Sequence, residues 1–137
     1  MGTVIASATG DDDRPRFVDV PAAADTPEKV VRFLTGRLVE GGQLPAAESE
    51  QVVERVMRRE SLGSTGIGRG MAVPHATCNR IERVACVVGR LPQPVAWSAI
   101  DGEAVRMAAL VVSPDAEGRV PLRSLEWIVH RLHAGTA

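Results

Sequence analysis

The apolar residues of this chain change their period half-way along it, and that change narrows most what the chain can fold into. After Asp25-Thr26-Pro27-Glu28, the residues Val30, Leu34 and Leu38, with Val31 beside them, repeat at helical spacing until Gly41-Gly42. Thr26 suits an N-cap, Pro27 the first helical position, and the nearby acids the positive end of a helix dipole. A second helical pattern begins near Pro45, carries Val52, Val53, Val56 and Met57, and runs to Arg58-Arg59. Val84 to Leu91 and Val105 to Val112 are instead short apolar or β-branched runs bounded by Pro, Gly and the turn signal Asp101-Gly102, which predict strands. Leu122, Leu125, Ile128, Val129 and Leu132 return to helical spacing behind Pro121. A short extended stretch is expected from Phe17 to Val20. Two helices, several strands and a closing helix predict an α/β or α+β sandwich.

Composition bounds the class. At 137 residues the chain holds one compact domain. We expect it over residues 16–137, because residues 1–15 end in Asp11-Asp12-Asp13-Arg14-Pro15 and have too little apolar surface to offset the entropy of ordering. The net charge is −1, and of 16 basic residues only Lys29 is a lysine; the arginines are dispersed among acids, which argues against a nucleic-acid partner. Phe17, Phe33, Trp97 and Trp127 are too scattered to stack single-stranded bases. No apolar run approaches the roughly 18 residues of a membrane span, and the first residues lack the basic and apolar regions of an export signal. A cytoplasmic domain without membrane insertion is expected, with Cys78 and Cys86 as reduced thiols.

Chemistry concentrates in Arg59-Glu60-Ser61-Leu62-Gly63-Ser64-Thr65-Gly66-Ile67-Gly68-Arg69-Gly70-Met71-Ala72-Val73-Pro74-His75. Closely spaced glycines allow a loop to aim several N–H groups at one anion, so phosphate is a candidate ligand; a plain tight turn into a strand is the alternative. A nucleotide P-loop is excluded because Arg69-Gly70 stands where Lys-Ser/Thr belongs, and the dinucleotide fingerprint fails because a helix, not a strand, precedes the glycines. His75 follows Met71-Ala72-Val73, a predicted short strand, and Pro74. A neutral imidazole can attack phosphorus through one nitrogen while the other holds a proton. Loop amides, the Ser64 and Thr65 hydroxyls and Arg59 could compensate the charge of the equatorial oxygens. A histidine merely bonded to a backbone carbonyl is the other reading.

Competing chemistries fit less well. His75-x-x-Cys78, Cys86 and His130-x-x-His133 match no paired metal-ligand spacing, so no metal is called for. A Ser64/His75/Asp101 hydrolase triad lacks the strand-to-helix nucleophile elbow. Arg58 and Arg69 read as solvated charges, with Arg58 a candidate contact for an acidic or phosphorylated partner.

The run Arg59-Glu60…Gly63-Ser64-Thr65-Gly66-Ile67-Gly68…Gly70-Met71-Ala72-Val73-Pro74-His75 resembles the RE…STGIGxGxAxPH pattern of the fructose/mannitol-type EIIA domains of the bacterial phosphoenolpyruvate-dependent sugar phosphotransferase system, which include the nitrogen-related EIIA proteins. The likeness continues in Asp101-Gly102-Glu103-Ala104-Val105-Arg106 through Ser113-Pro114 and covers residues 17–133. It implies a mixed β-sheet sandwiched by helices. It places the phosphorylated histidine on His75 and the active-site arginine on Arg59; Ser64, Thr65, Gly66 and Gly68 are phosphate-binding candidates from the chemistry of the loop, and no cofactor is expected. The implied partners are the histidine phosphocarrier protein as donor and a cysteine of an EIIB domain as acceptor. Two departures stand out. Pro121-Leu122 occupies the place of the family's second histidine, and the C-terminal part is expected to be short. A phosphocarrier, a regulatory module whose partner binding depends on phosphorylated His75, and a relative that no longer transfers phosphate all remain open on sequence.

Overall fold

The computed structural model describes residues 16–97 and 102–114. The first strand, β1 (Arg16–Asp19), precedes helix α1 (Pro27–Glu40). The helix starts where its sequence predicts: the Thr26 side chain accepts a hydrogen bond from the Lys29 N–H at 3.2 Å, and Pro27 occupies the first turn. It ends at Gly41, and Gly42 reverses the chain with φ +76°. A short 3₁₀ turn, Ala46–Glu48, leads into α2 (Ser49–Leu62). Val30, Val31, Leu34 and Leu38 of α1 and Val52, Val53 and Val56 of α2 are buried, so the apolar stripes read from sequence are the faces that pack.

Beyond α2 come β2 (Gly66–Gly68), β3 (Met71–Ala72), β4 (His75–Cys78), β5 (Ala85–Val95) and β6 (Val105–Pro114). They form one mixed sheet with β1, in the order β1-β5-β6-β3-β2, and β4 also lies along β6. β1 runs parallel to β5, β5 antiparallel to β6, and β3 and β4 parallel to β6. Alternation sorts the side chains of this sheet into two buried layers. Ala72, Ala76, Cys78, Ala85, Val87, Ala108, Leu110 and Val112 join the residues of α1 and α2 in one core. Met71, Val73, Cys86, Val88, Ala109 and Val111 form a second core on the opposite face. A sheet buried on both faces is what near-continuous apolar strands such as Ala85-Cys86-Val87-Val88 require. The family-implied mixed α/β fold is therefore the observed one. The predicted closing helix behind Pro121, the tail at residues 1–15 and Asp101 lie outside the described residues. Among the described residues, no helix is long and apolar enough to cross a membrane.

Two features differ from the sequence expectation, and both position the site. β5 continues past Leu91 to Val95 through Pro92 and Pro94, where its regular pairing with β6 is interrupted between Arg90 and Val95; proline supplies no ladder donor, which suits an irregular end. β4, which has no strand signal of its own beyond Thr77, is a strand because it continues the line of β3. Met71 lies opposite Met107 and His75 opposite Val111, in one unbroken register along β6. The break between β3 and β4 falls at Val73-Pro74. Pro74 has no N–H to give, yet its carbonyl still accepts from Val111 N at 3.0 Å, which keeps the two segments aligned.

Candidate active site

His75 opens β4 and is half-buried. Ala76 and Cys78 belong to the core under α1 and α2, so alternation puts His75 and Thr77 on the other side of the strand. Its Nδ1 is 2.8 Å from the carbonyl oxygen of Val73. A carbonyl only accepts, so in the neutral ring Nδ1 carries the proton and Nε2 carries the free lone pair. The backbone-bonded reading of His75 is the observed one, and the bond to Val73 leaves Nε2 as the unprotonated nitrogen of the neutral ring.

The glycine-rich stretch builds the wall next to it. β2 and β3 form a hairpin whose connection, Arg69-Gly70, has φ +58° and +75°, the sense of a primed turn that matches strand twist. Gly70 is where the left-handed backbone is required, and its carbonyl accepts from Arg106 N at 2.7 Å and Met107 N at 3.0 Å, which ties the hairpin to β6. Just before β2, Thr65 O accepts from Val73 N at 3.0 Å. The loop and the segment before His75 are therefore joined directly.

The polar groups of the loop are already partnered. Ser64 Oγ donates to Trp97 O at 2.5 Å and accepts from Gly66 N at 2.9 Å. Thr65 N lies 3.3 and 3.2 Å from the two carboxylate oxygens of Glu60, and its hydroxyl donates to the same carboxylate. The buried Trp97 indole, which needs an acceptor, donates to Glu60 Oε1 at 3.1 Å. Of the residues expected at phosphate, Ser64 is half-buried, whereas Thr65 is only 6% exposed and Gly66 and Gly68 are buried. Arg59, half-buried near the end of α2, donates from Nη1 to Gly63 O at 2.7 Å and so spends one of the five N–H donors of its fork.

The same geometry separates the alternatives. Ser64 Oγ donates to a backbone carbonyl and His75 Nδ1 bonds Val73, so these side chains do not form the serine–histidine hydrogen bond of a hydrolase triad. Cys78 faces the helix-side core with 1% exposure, away from His75, so the two cannot share a metal ion. Burial pushes the Cys86 thiol from 9.0 up to about 12, the opposite of what a thiolate ligand needs. Asp101, Pro121, His130 and His133 lie outside the described residues.

The family model of the phosphoenolpyruvate-dependent sugar phosphotransferase system, EIIA 2, matches residues 14–134. The chain belongs to this family. This EIIA 2 chain is 36% identical over 107 residues to the 2-O-alpha-mannosyl-D-glycerate-specific EIIABC component of Escherichia coli, a match that covers 77% of this chain and 16% of that protein. It is 30% identical over 90 residues to a nitrogen regulatory protein of Bradyrhizobium diazoefficiens, covering 66% of this chain and 59% of that one. The chain thus spans a small part of the first relative and over half of the second. Among solved structures, the nitrogen regulatory protein IIA-Ntr of Neisseria meningitidis shares the fold with a TM-score of 0.64 at 24% identity, over 87% of this chain and 75% of that one. The complex of enzyme IIAMTL with phosphorylated enzyme IIBMTL of Escherichia coli does so with a TM-score of 0.61 at 20% identity, over 88% and 84%.

Sequence reasoning gave Glu60 no role although it stands inside the EIIA 2 motif beside Arg59. The signal that points to it is chemical. A carboxylate at a helix end, five residues before a threonine, is an acceptor for the loop's free donors, and a buried tryptophan must find an acceptor somewhere.

Proposed function

We propose that this chain is a phosphocarrier: His75 accepts a phosphoryl group on Nε2 from the histidine phosphocarrier protein and passes it to a cysteine of an EIIB domain. The observation that carries this reading is the Nδ1 contact with Val73 O at 2.8 Å, which leaves the Nε2 lone pair as the nucleophile. In the forward step Nε2 forms a bond to phosphorus as the donor's N–P bond breaks and its electron pair returns to the donor imidazole. The Nδ1 proton stays in place, and Val73 O stabilises the positive charge the ring gains on bonding phosphorus. In the second step the acceptor thiolate attacks phosphorus and the electron pair of the Nε2–P bond returns to His75. Neither step calls for a metal or nucleotide.

In this reading Arg59 meets the phosphoryl oxygens, and Ser64 joins it only by turning its one hydroxyl proton from Trp97 O to the phosphate. Arg59 keeps donors beyond the one held by Gly63 O, and a fixed planar fork suits a phosphate. Thr65, Gly66 and Gly68 shape the loop from buried positions. The EIIB partner is supported by the solved complex of a protein of the same fold with its phosphorylated EIIB. A cytoplasmic setting follows from such partners.

A second reading is favoured by the relatives named nitrogen regulatory proteins, at 30% and 32% identity: phosphorylated and unphosphorylated His75 give the surface different charge and hence different binding to a regulatory target. Incubation with phosphoenolpyruvate, enzyme I and the histidine phosphocarrier protein, read by intact mass, tests the first reading. Wild type gains one acid-labile phosphate and His75→Ala gains none. A wild type that stays unmodified refutes the carrier. Adding an EIIB domain separates the two readings, because only the carrier then loses its phosphate quickly.

A further inference from the structure

We infer that Glu60 is a positioning residue for His75, acting through Thr65 and Val73 to hold the ring in its nucleophilic tautomer; the inference rests on the phosphocarrier reading. The connection is an uninterrupted chain of hydrogen bonds. The Glu60 carboxylate accepts from Thr65 N at 3.2 Å and from the Thr65 hydroxyl. The Thr65 carbonyl accepts from Val73 N at 3.0 Å. The Val73 carbonyl faces Nδ1 of His75 at 2.8 Å. A second arm closes around the same carboxylate, since Trp97 Nε1 donates to it at 3.1 Å, Trp97 O accepts from Ser64 Oγ at 2.5 Å, and Ser64 Oγ accepts from Gly66 N at 2.9 Å.

The physical role follows from what each link lacks without the next. Val73 and Pro74 interrupt the ladder between β3 and β4, so between Ala72 and Pro74 the backbone is held by the bond from Val73 N to Thr65 O, one residue's torsion away from the carbonyl that faces His75. Thr65 sits in a glycine-flanked loop, and its amide and hydroxyl are held by one carboxylate. That carboxylate stands on the last turn of α2, a rigid element packed into the core through Val52, Val53 and Val56. Glu60 therefore transmits the rigidity of the helix to a carbonyl that determines which ring nitrogen is protonated. With the link cut, the Val73 segment is held only through Ala72 and Pro74 on β6, its carbonyl drifts from Nδ1, and the ring also populates the tautomer with the proton on Nε2, which cannot attack phosphorus through that nitrogen.

The test reads the ring directly. Nitrogen-15 NMR of the labelled full chain, with the imidazoles in their neutral form and His75 assigned with His75→Ala, is expected to show wild type with Nδ1 protonated and Nε2 free. Glu60→Ala is expected to show a mixture of tautomers and a phosphorylation rate lower by about tenfold or more. Glu60→Gln, whose one oxygen can still accept from the Thr65 hydroxyl and Trp97 Nε1 while its amide faces Thr65 N, is expected to restore both in part. Should Glu60→Ala fold poorly by circular dichroism, Glu60→Asp takes its place; its carboxylate is withdrawn by one methylene, and the same tautomer shift is expected. Wild-type tautomer signals in the folded alanine or aspartate variant overturn the inference, as does a rate loss that follows only the unfolded fraction. The tautomer measurement needs no phosphoryl donor. A wild type that takes no phosphate therefore sinks the carrier reading while the hold of Glu60 on the ring is decided separately.

Discussion

Two glycine-to-alanine substitutions, one in the sheet against α1 and one within α1 in open space, are expected to change stability in opposite directions. At Gly89 in β5 an added methyl would stand 2.6 Å from Val20 Cγ2 and 2.9 Å from Leu34 Cδ2. Carbon atoms ordinarily sit about 3.5–4.0 Å apart, so about 1 Å of overlap must be relieved. The two neighbours are poorly placed to yield, being 3% and 0% exposed, and valine is stiff at χ1. Overpacking of this kind costs roughly 1–3 kcal/mol, and the lower unfolded-state entropy of alanine returns roughly 0.4–1 kcal/mol. Gly89→Ala is therefore expected to lose about 1–2 kcal/mol. Gly36 lies inside α1, and a methyl there meets nothing within 4 Å. Gly36→Ala should gain about 0.5–1 kcal/mol from helix propensity alone. Urea unfolding followed by far-UV circular dichroism measures both, with the midpoints moving apart at an unchanged m-value. A Gly89→Ala protein as stable as wild type would refute the claim that this glycine sets the separation of α1 from β5.

Other outcomes follow from single contacts. Thr26→Ala removes the cap on α1 and is expected to cost about 1 kcal/mol, read as a lowered urea midpoint, while Thr26→Asp stays near wild type. Arg59→Ala should lower the rate of His75 phosphorylation about tenfold or more while stability changes by less than about 1 kcal/mol, because its bond to Gly63 O is exposed; an unchanged rate would remove Arg59 from the phosphate site. Cys86, held neutral by burial up to about pH 12, is expected to resist a thiol reagent at neutral pH in the native state and to react on unfolding, as mass spectrometry of the modified peptide would show. Its linkage has a definite sign: the unfolded chain releases this proton from 9.0 upward while the folded chain keeps it, so stability is full below that pH and falls as pH rises toward about 12. Cys86→Ala should lessen that alkaline loss.

Much of the scaffold was legible because its signals are local. Thr26-Pro27 and Gly41-Gly42 bracket α1 through backbone chemistry that operates within a turn, and the stripes of α1 and α2 need only the helical period to be seen. The near-continuous apolar runs over residues 85–88 and 107–112, bounded by Pro, Gly and Asp101-Gly102, announce strands in the same way. β4 was not legible, since four residues at His75–Cys78 become a strand only by extending β3 along β6, a pairing made across the fold. On sequence the glycines fit either a phosphate cradle or a plain tight turn, and at Gly70 the structure shows a tight hairpin turn anchored to β6. His75 stood out by residue type and by the motif around it. Which of its nitrogens is free depends on the Val73 carbonyl, and no spacing in the sequence encodes that.

Arg59 and Glu60 show how far a motif can be read before geometry is needed. As neighbours on an α-helix their side chains leave the axis about 100° apart, so they cannot serve the same point. Arg59 turns to Gly63 at the mouth of the loop, and Glu60 turns to Thr65 and Trp97 at its base. The pair grips one loop from two sides, with the carboxylate directed inward and the cation, on the proposed reading, left to meet the phosphoryl group. The reverse placement would set a negative charge beside the incoming phosphate and leave the buried N–H groups of Thr65 and Trp97 facing a cation that offers no acceptor. Their order along the helix is therefore part of the chemistry. Exchanging them, Arg59→Glu with Glu60→Arg, leaves composition and net charge unchanged yet should abolish phosphorylation of His75 and destabilise the loop. If the exchanged protein transferred phosphate at the wild-type rate, the division of labour between the two residues would be wrong.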